Sequence, residues 1–211
     1  VHTRIDAGIA TVTTTEGALV LSPAMVGRTG SLTPLTTCDD RLAGSRVETT
    51  CGDAVAWFDH DDQGLEFGAD IATRPEGEGP LLYLLDHDGA GDPWMDAERV
   101  YFSFEKVQLQ IDVPTVIDAN GDSIPAELTV HCTGDVAAYD ELDLEAPEMD
   151  ENICRVGVQV DDTDAVYPLT IDPTVRRIED KAPKAGELTL ADLAVGDLLV
   201  NEMMINPDVV P

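Results

Sequence analysis

Lysine is nearly missing from this 211-residue chain, and aromatics make up only 5% of it. Three lysines (Lys106, Lys181, Lys184) and nine arginines face 27 aspartates and 15 glutamates, for a formal net charge of −30. Duplex nucleic acid and anionic membranes are bound by clustered Lys and Arg, so this balance excludes both as partners. No stretch approaches the roughly 20 apolar residues of a membrane-spanning helix, so no membrane insertion is expected. Val1-His2-Thr3-Arg4 leads into no apolar segment of the signal-peptide kind. If secreted, the chain is therefore expected to be a mature form or a fragment. G-x-S-x-G, H-E-x-x-H, Walker A and G-x-G-x-x-G are all missing, which leaves no enzyme signature to build on. Carboxylate pairs of glycoside hydrolases leave no local motif, but their clefts are rich in aromatics, and this chain is not.

What is present points to a β-protein in an oxidising, saline setting. Hydrophobic residues reach 43%, enough for a core despite the charge. An acidic surface repels itself at low salt, and at 0.15 M the screening length is about 8 Å. Tolerance of salt is one expectation; the other is that acidity simply keeps a secreted protein soluble. The four cysteines, Cys38, Cys51, Cys132 and Cys154, include no C-x-x-C, which removes zinc-ribbon and thioredoxin readings. An even, well-separated set fits disulfides. The sequence-local pairs Cys38–Cys51 and Cys132–Cys154 are the expected ones, with four buried free thiols as the alternative.

The dominant hydrophobic period is two, punctuated by Gly, Pro and Asp. Ile9–Thr15 and Ala18–Pro23 flank a hairpin-like Glu16-Gly17, and Arg46–Thr50 and Ala54–Phe58 flank Cys51-Gly52-Asp53. Pro80–Leu85 fits a buried strand. Val100–Ile111 alternates over much of its length. Thr115–Ile117 and Ile124–Val130 straddle the turn Asp118–Asp122, and Val156–Val160 and Val166–Ile171 straddle Asp161–Asp164. This spacing predicts an all-β fold, an antiparallel sandwich or sandwich-like module over residues 1–175. Residues 140–151, rich in Asp and Glu, read as a solvated excursion. Residues 176–195 read as a linker, within which Leu188–Leu193 could form one helical turn.

Two resemblances extend this reading. Gly64-Leu65-Glu66-Phe67-Gly68, Arg74–Leu81, Asp118–Leu128 and Tyr167-Pro168-Leu169-Thr170-Ile171-Asp172-Pro173 follow one another in an order that resembles a β-rich region of large secreted myxobacterial-type multidomain proteins. Such regions precede repeat domains and have no assigned catalytic residues. The two cysteine pairs and the acidic insertion depart from that pattern. Gly196–Pro207 resembles the opening strand of a bacterial lamin-tail domain, an Ig-like sandwich of adhesive or anchoring proteins. Residues 196–211 would then be the truncated, incomplete start of such a domain, with further domains covalently downstream.

Calcium is the one cofactor the sequence suggests. Asp59, Asp61 and Gln63 stand at positions one, three and five of a loop with Gly64 at six and Asp70 at twelve. The flanks read as strands where an EF-hand needs helices. Asp118, Asn120 and Asp122 form a second acidic turn, in which Asn120-Gly121 equally suits a hairpin. Asp86-His87-Asp88-Gly89 with Asp92 is a third. His60 and His87 each lie between aspartates, and His131 beside Cys132 would point to the opposite face of a strand. Trp57, Trp94, Tyr101, Phe102 and Phe104 read as core or sheet-face residues, with a carbohydrate platform at Trp94 as the alternative. The leading expectation is a non-catalytic structural or adhesive module at the cell surface or outside the cell, meeting protein or glycan. A calcium- or carbohydrate-binding module comes second and a hydrolase fragment third.

Overall fold

Seventeen strands, all paired antiparallel, and no helix make up the described part of the computed structural model. It describes residues 2–35, 38–60, 64–89, 93–96, 98–132 and 154–178, with His131, Cys132 and Ile178 described by backbone alone. The first sheet contains β1 (His2–Asp6), β2 (Ile9–Thr13), β3 (Ala18–Arg28), β4 (Ser31–Pro34), β9 (Leu81–Asp88), β14 (Ala126–Cys132) and β15 (Cys154–Val160). Their order is β1-β2-β3-β9-β15-β14, with β4 paired to the far end of β3. The second sheet contains β5 (Asp39–Ala43), β6 (Arg46–Cys51), β7 (Ala54–His60), β8 (Leu65–Ile71), β10 (Trp94–Met95), β11 (Val100–Ser103), β12 (Gln108–Ile111), β13 (Thr115–Ile117), β16 (Leu169–Asp172) and β17 (Thr174–Ile178). Its order is β10-β11-β12-β17-β8-β7-β6-β5, with β16 also on β8 and β13 on β16.

Period-two alternation explains why these segments form two faced sheets. Leu19, Leu21, Leu81, Tyr83, Leu85, Val156, Val158 and Val160 of the first sheet share one buried cluster with Phe58, Phe67, Phe102, Leu109, Ile111, Leu169 and Ile171 of the second. The fold is the antiparallel β-sandwich the alternation predicts. On β9 the intervening Leu82 and Leu84 turn to the other face, where they pack with Met25 and Leu32. That second cluster is why Leu81–Leu85 is apolar at every position. Trp57 also faces away from the core, yet is only 1% exposed. It packs against Gly68, its cross-strand partner, where a Cβ would strike the indole. Arg46 lies over the ring, its guanidinium 3.8 Å from the centroid.

The hairpins β2–β3 and β6–β7 form as expected. Elsewhere the structure adds what alternation leaves open. Val100–Ile111 is two strands, β11 and β12, joined by a turn in which Phe104 N donates to Val107 O at 2.8 Å. Asp118–Asp122 is the expected turn, closed by an antiparallel Ile117–Ser123 bridge and by Ile124 N donating to Val116 O at 2.9 Å, but beyond it the strands part: β13 pairs with β16 in the second sheet, and β14 with β15 in the first. Asp161–Asp164 likewise joins β15 of one sheet to β16 of the other. Short apolar strands of two facing sheets have the same period, so alternation alone does not say where the chain crosses over. β17 also runs to Ile178, three residues past the expected end of the β region at residue 175.

The expected Cys38–Cys51 disulfide is present, with the Cα atoms 5.2 Å apart. It continues the β5–β6 ladder past its last pair, Asp39 and Thr50. Cys154 is fully buried and its backbone pairs with that of Cys132. The 140–151 excursion, the rest of the 176–195 segment and residues 196–211 lie outside the described residues.

Candidate functional site

Three chain segments converge at one end of the sandwich. Arg28 closes β3, opposite Leu81 at the start of β9. Residues 72–80 connect β8 to β9, and residues 161–168 connect β15 to β16. Arg28 ties them together. Its Nε donates to Pro75 O at 3.0 Å, Nη1 to Gly79 O, and Nη2 to Asp162 Oδ2 at 2.6 Å. Tyr167 Oη donates to the same carboxylate oxygen at 2.5 Å. Arg74 approaches from the surface. Its Nη2 donates to the carbonyls of Asp162 (2.5 Å), Thr163 (3.2 Å) and Ala165 (3.2 Å), and its guanidinium lies 5.6 Å from the Tyr167 ring centroid.

The electrostatics follow from this geometry. Burial alone raises the pKa of the Asp162 carboxyl, but the Arg28 and Tyr167 hydrogen bonds and the two nearby guanidinium charges outweigh it. The net result holds Asp162 below the usual aspartate range. Burial pushes the Tyr167 hydroxyl up, and the adjacent Asp162 carboxylate pushes it further. An ionised aspartate facing a neutral tyrosine and a charged arginine is the stable state of this cluster.

Two clefts flank the cluster. One of about 610 Å³ is lined by Arg74, Glu78, Gln159 and Asp161 among others. The other, about 760 Å³, lies between the β3–β4 and β6–β7 hairpins. Its lining includes the buried Val26, Ala54 and Ile71, and the Cys38–Cys51 disulfide. Arg28 and Asp162 also line the first cleft, with their charges paired to each other and the Arg28 guanidinium held by loop carbonyls. Their side chains are 5% and 3% exposed. The pair ties the segment before β9 to the loop before β16.

The acidic turn at Asp118 is built on the same principle. Oδ1 accepts from Asn120 N at 2.8 Å and Asp122 N at 3.0 Å, while Oδ2 accepts from Val166 N at 3.0 Å. The Val166 N–H, followed by those of the turn, holds this carboxyl below its ordinary value. Both carboxylate oxygens are thus occupied by N–H groups that would repel a cation's positive charge. Asn120 and Asp122 sit on the exposed rim of the turn.

Of the first candidate calcium loop, Asp59 and Asp70 are described. Asp59 pairs in register with Glu66, whereas Asp70 pairs with Val55. Four strand positions of the β7–β8 pair separate them, roughly 13 Å at the rise of a β-strand. Asp59 accepts from Ser45 Oγ (3.1 Å) and its neighbour His60 N (2.8 Å). Asp70 accepts from Thr170 Oγ1 at 2.8 Å and pairs with Arg46 at 3.2 Å. Asp61 and Gln63 lie outside the described residues. In the third acidic segment Asp86 pairs with Arg155 at 2.8 Å, and the His87 ring packs edge-on to Phe102 at 5.1 Å. Asp92 lies outside the described residues. Among the described residues no group of three or more His, Cys, Asp or Glu is placed to share a metal ion. Trp94 is half-buried and stacks on Tyr101 with centroids 4.3 Å apart, its indole N–H donated to Ser103 Oγ at 3.2 Å.

Sequence reasoning singled out Arg74 and Tyr167 only as parts of resembling segments and Asp162 only as part of a turn, and missed Arg28 altogether. No local signal links residues 134 positions apart. The one available hint was an arginine closing a strand that is otherwise mostly apolar. No family model, curated protein or solved structure matches this chain.

Proposed function

We propose that this chain is a non-catalytic structural module of a secreted or cell-surface protein, a disulfide-braced spacer that holds neighbouring domains or presents an adhesive surface. The observation that supports it most is how the polar groups of the candidate site are used. Arg28, Arg74, Asp162, Tyr167 and Asp118 point at loop backbone and at one another, which fixes the crossings between the two sheets. The Cys38–Cys51 disulfide fits an oxidising compartment. The net charge of −30 fits a saline one. The resemblance of residues 1–175 to β-rich regions of secreted multidomain proteins, and of 196–207 to a lamin-tail strand, agrees with a place ahead of further domains.

Thermal unfolding with EDTA, calcium and magnesium at matched ionic strength tests the reading. A spacer stabilised only by screening responds equally to the two cations. A built calcium site at 100-fold saturation adds about 2.7 kcal/mol, roughly 5–11 °C for a protein of this size. A rise of that order with calcium alone would replace the spacer reading with that of a calcium-binding module.

A further inference from the structure

We propose that Asn120 is a latent deamidation site, kept unreactive by the turn that Asp118 builds. Of the four asparagines, Asn120, Asn152, Asn201 and Asn206, only Asn120 precedes a glycine. With no side chain on Gly121, its backbone nitrogen is the least hindered nucleophile an asparagine can have beside it. In the reaction, that nitrogen gives up its proton to solvent base and attacks Cγ of Asn120. The Cγ–Nδ2 bond breaks and ammonia leaves with a proton from water. A five-membered imide remains, and water opens it at either carbonyl to give aspartate or isoaspartate. Water is the sole co-reactant.

Asn120 and Gly121 are both exposed, so water and base reach them. What the fold withholds is the nucleophile. Gly121 N–H donates to Asp118 O at 3.0 Å, in a turn closed by Asp118 N donating to Asp122 O at 3.0 Å. Asn120 N and Asp122 N, on either side, are held by Asp118 Oδ1. Gly121 itself sits at φ +85°, a conformation reserved for glycine. To reach Cγ, the Gly121 nitrogen must release its proton from Asp118 O and swing away, which opens the whole turn. The reaction rate is then the chemical rate multiplied by the fraction of time the turn is open.

The consequence is structural. Aspartate at position 120 adds a charge between Asp118 and Asp122. Isoaspartate inserts an extra backbone atom into the turn. Either change loosens the Asp118–Val166 tie that joins the end of β13 to the loop before β16.

Peptide mapping by mass spectrometry, after timed incubation in mildly alkaline buffer, reads the amide-to-acid mass change at residue 120. The native protein is expected to convert at least about tenfold more slowly than the same protein in guanidinium, since a tenfold factor corresponds to a turn open less than roughly a tenth of the time. Asp118→Ala, with the fold checked by circular dichroism, is expected to convert faster than the native protein, and Asp118→Asn to fall between. Equal rates in native buffer and in denaturant would overturn the proposal. So would an unchanged rate in a folded Asp118→Ala. Should that variant not fold, the comparison of native with denatured wild type decides alone.

Discussion

The guanidinium of Arg28 and the carboxylate of Asp162 lie 2.6 Å apart in the interior, although 134 residues separate them in the chain. Each also anchors other groups. Arg28 holds two carbonyls of the segment that leads into β9, and Asp162 receives the Tyr167 hydroxyl. A buried pair is not stabilising merely by existing, because desolvation offsets much of the attraction. This one is justified by what it fixes: the crossing from β15 to β16 and the approach to β9 are held at a single point.

Stability is expected to decline at both ends of the pH scale. Asp162 and Asp118 have folded pKa values below their ordinary ones. For such groups the stabilisation is present above the unfolded value, near 3.9, and is lost as pH falls through that value toward the folded one. Tyr167 has a folded pKa above its ordinary 10. Its contribution is complete below pH 10 and is lost as pH rises beyond it. Urea midpoints measured from pH 3 to 11 at constant high salt check both limbs. A profile flat below pH 4 would contradict the assignment of Asp162 and Asp118.

Replacing Cys38 and Cys51 together with serine should cost about 3 kcal/mol, the loop-closure value for a ring of this length. The melting temperature would fall by roughly 6–12 °C. The disulfide clamps the open end of an edge hairpin whose outer strand, β5, is exposed along its length. Differential scanning calorimetry of the wild type and the double-serine variant checks it.

Much of the fold was legible in sequence because hydrophobic period survives packing. The β2–β3 and β6–β7 hairpins, the buried run at Leu81–Leu85 and the Cys38–Cys51 bridge all follow from local signals: alternation, a turn residue, a short cysteine spacing. The sheet crossings at Asp118–Asp122 and Asp161–Asp164 did not, because a turn between two strands has the same composition whether those strands pair with each other or part. The site was less legible still. Asp118 was visible as an acidic turn, but its cation-like partners are backbone N–H groups, which no residue code displays. Arg28 and Asp162 meet only through the tertiary fold.

Tyr83 sits in the core with its hydroxyl unpaired among the described residues, and burial raises its pKa. An unpartnered buried hydroxyl costs about 1–3 kcal/mol relative to its absence. Tyr83→Phe is therefore expected to leave stability unchanged or to raise it, by up to about 1 kcal/mol after any loss of packing. Chemical denaturation of the single variant settles it; a loss above about 1 kcal/mol would mean that the hydroxyl is satisfied in solution.

The most direct test of the central claim, that the buried charges are architecture, is a double-mutant cycle on Arg28 and Asp162. Equilibrium urea unfolding of wild type, Arg28→Met, Asp162→Asn and the double variant gives the coupling free energy. Each single change strands a buried partner, so each is expected to cost about 3–5 kcal/mol. The double variant should cost clearly less than the sum, leaving a coupling of at least about 1.5 kcal/mol. Single variants that lose less than about 0.5 kcal/mol, with additive effects, would show that the pair does not hold the fold and is free for another role.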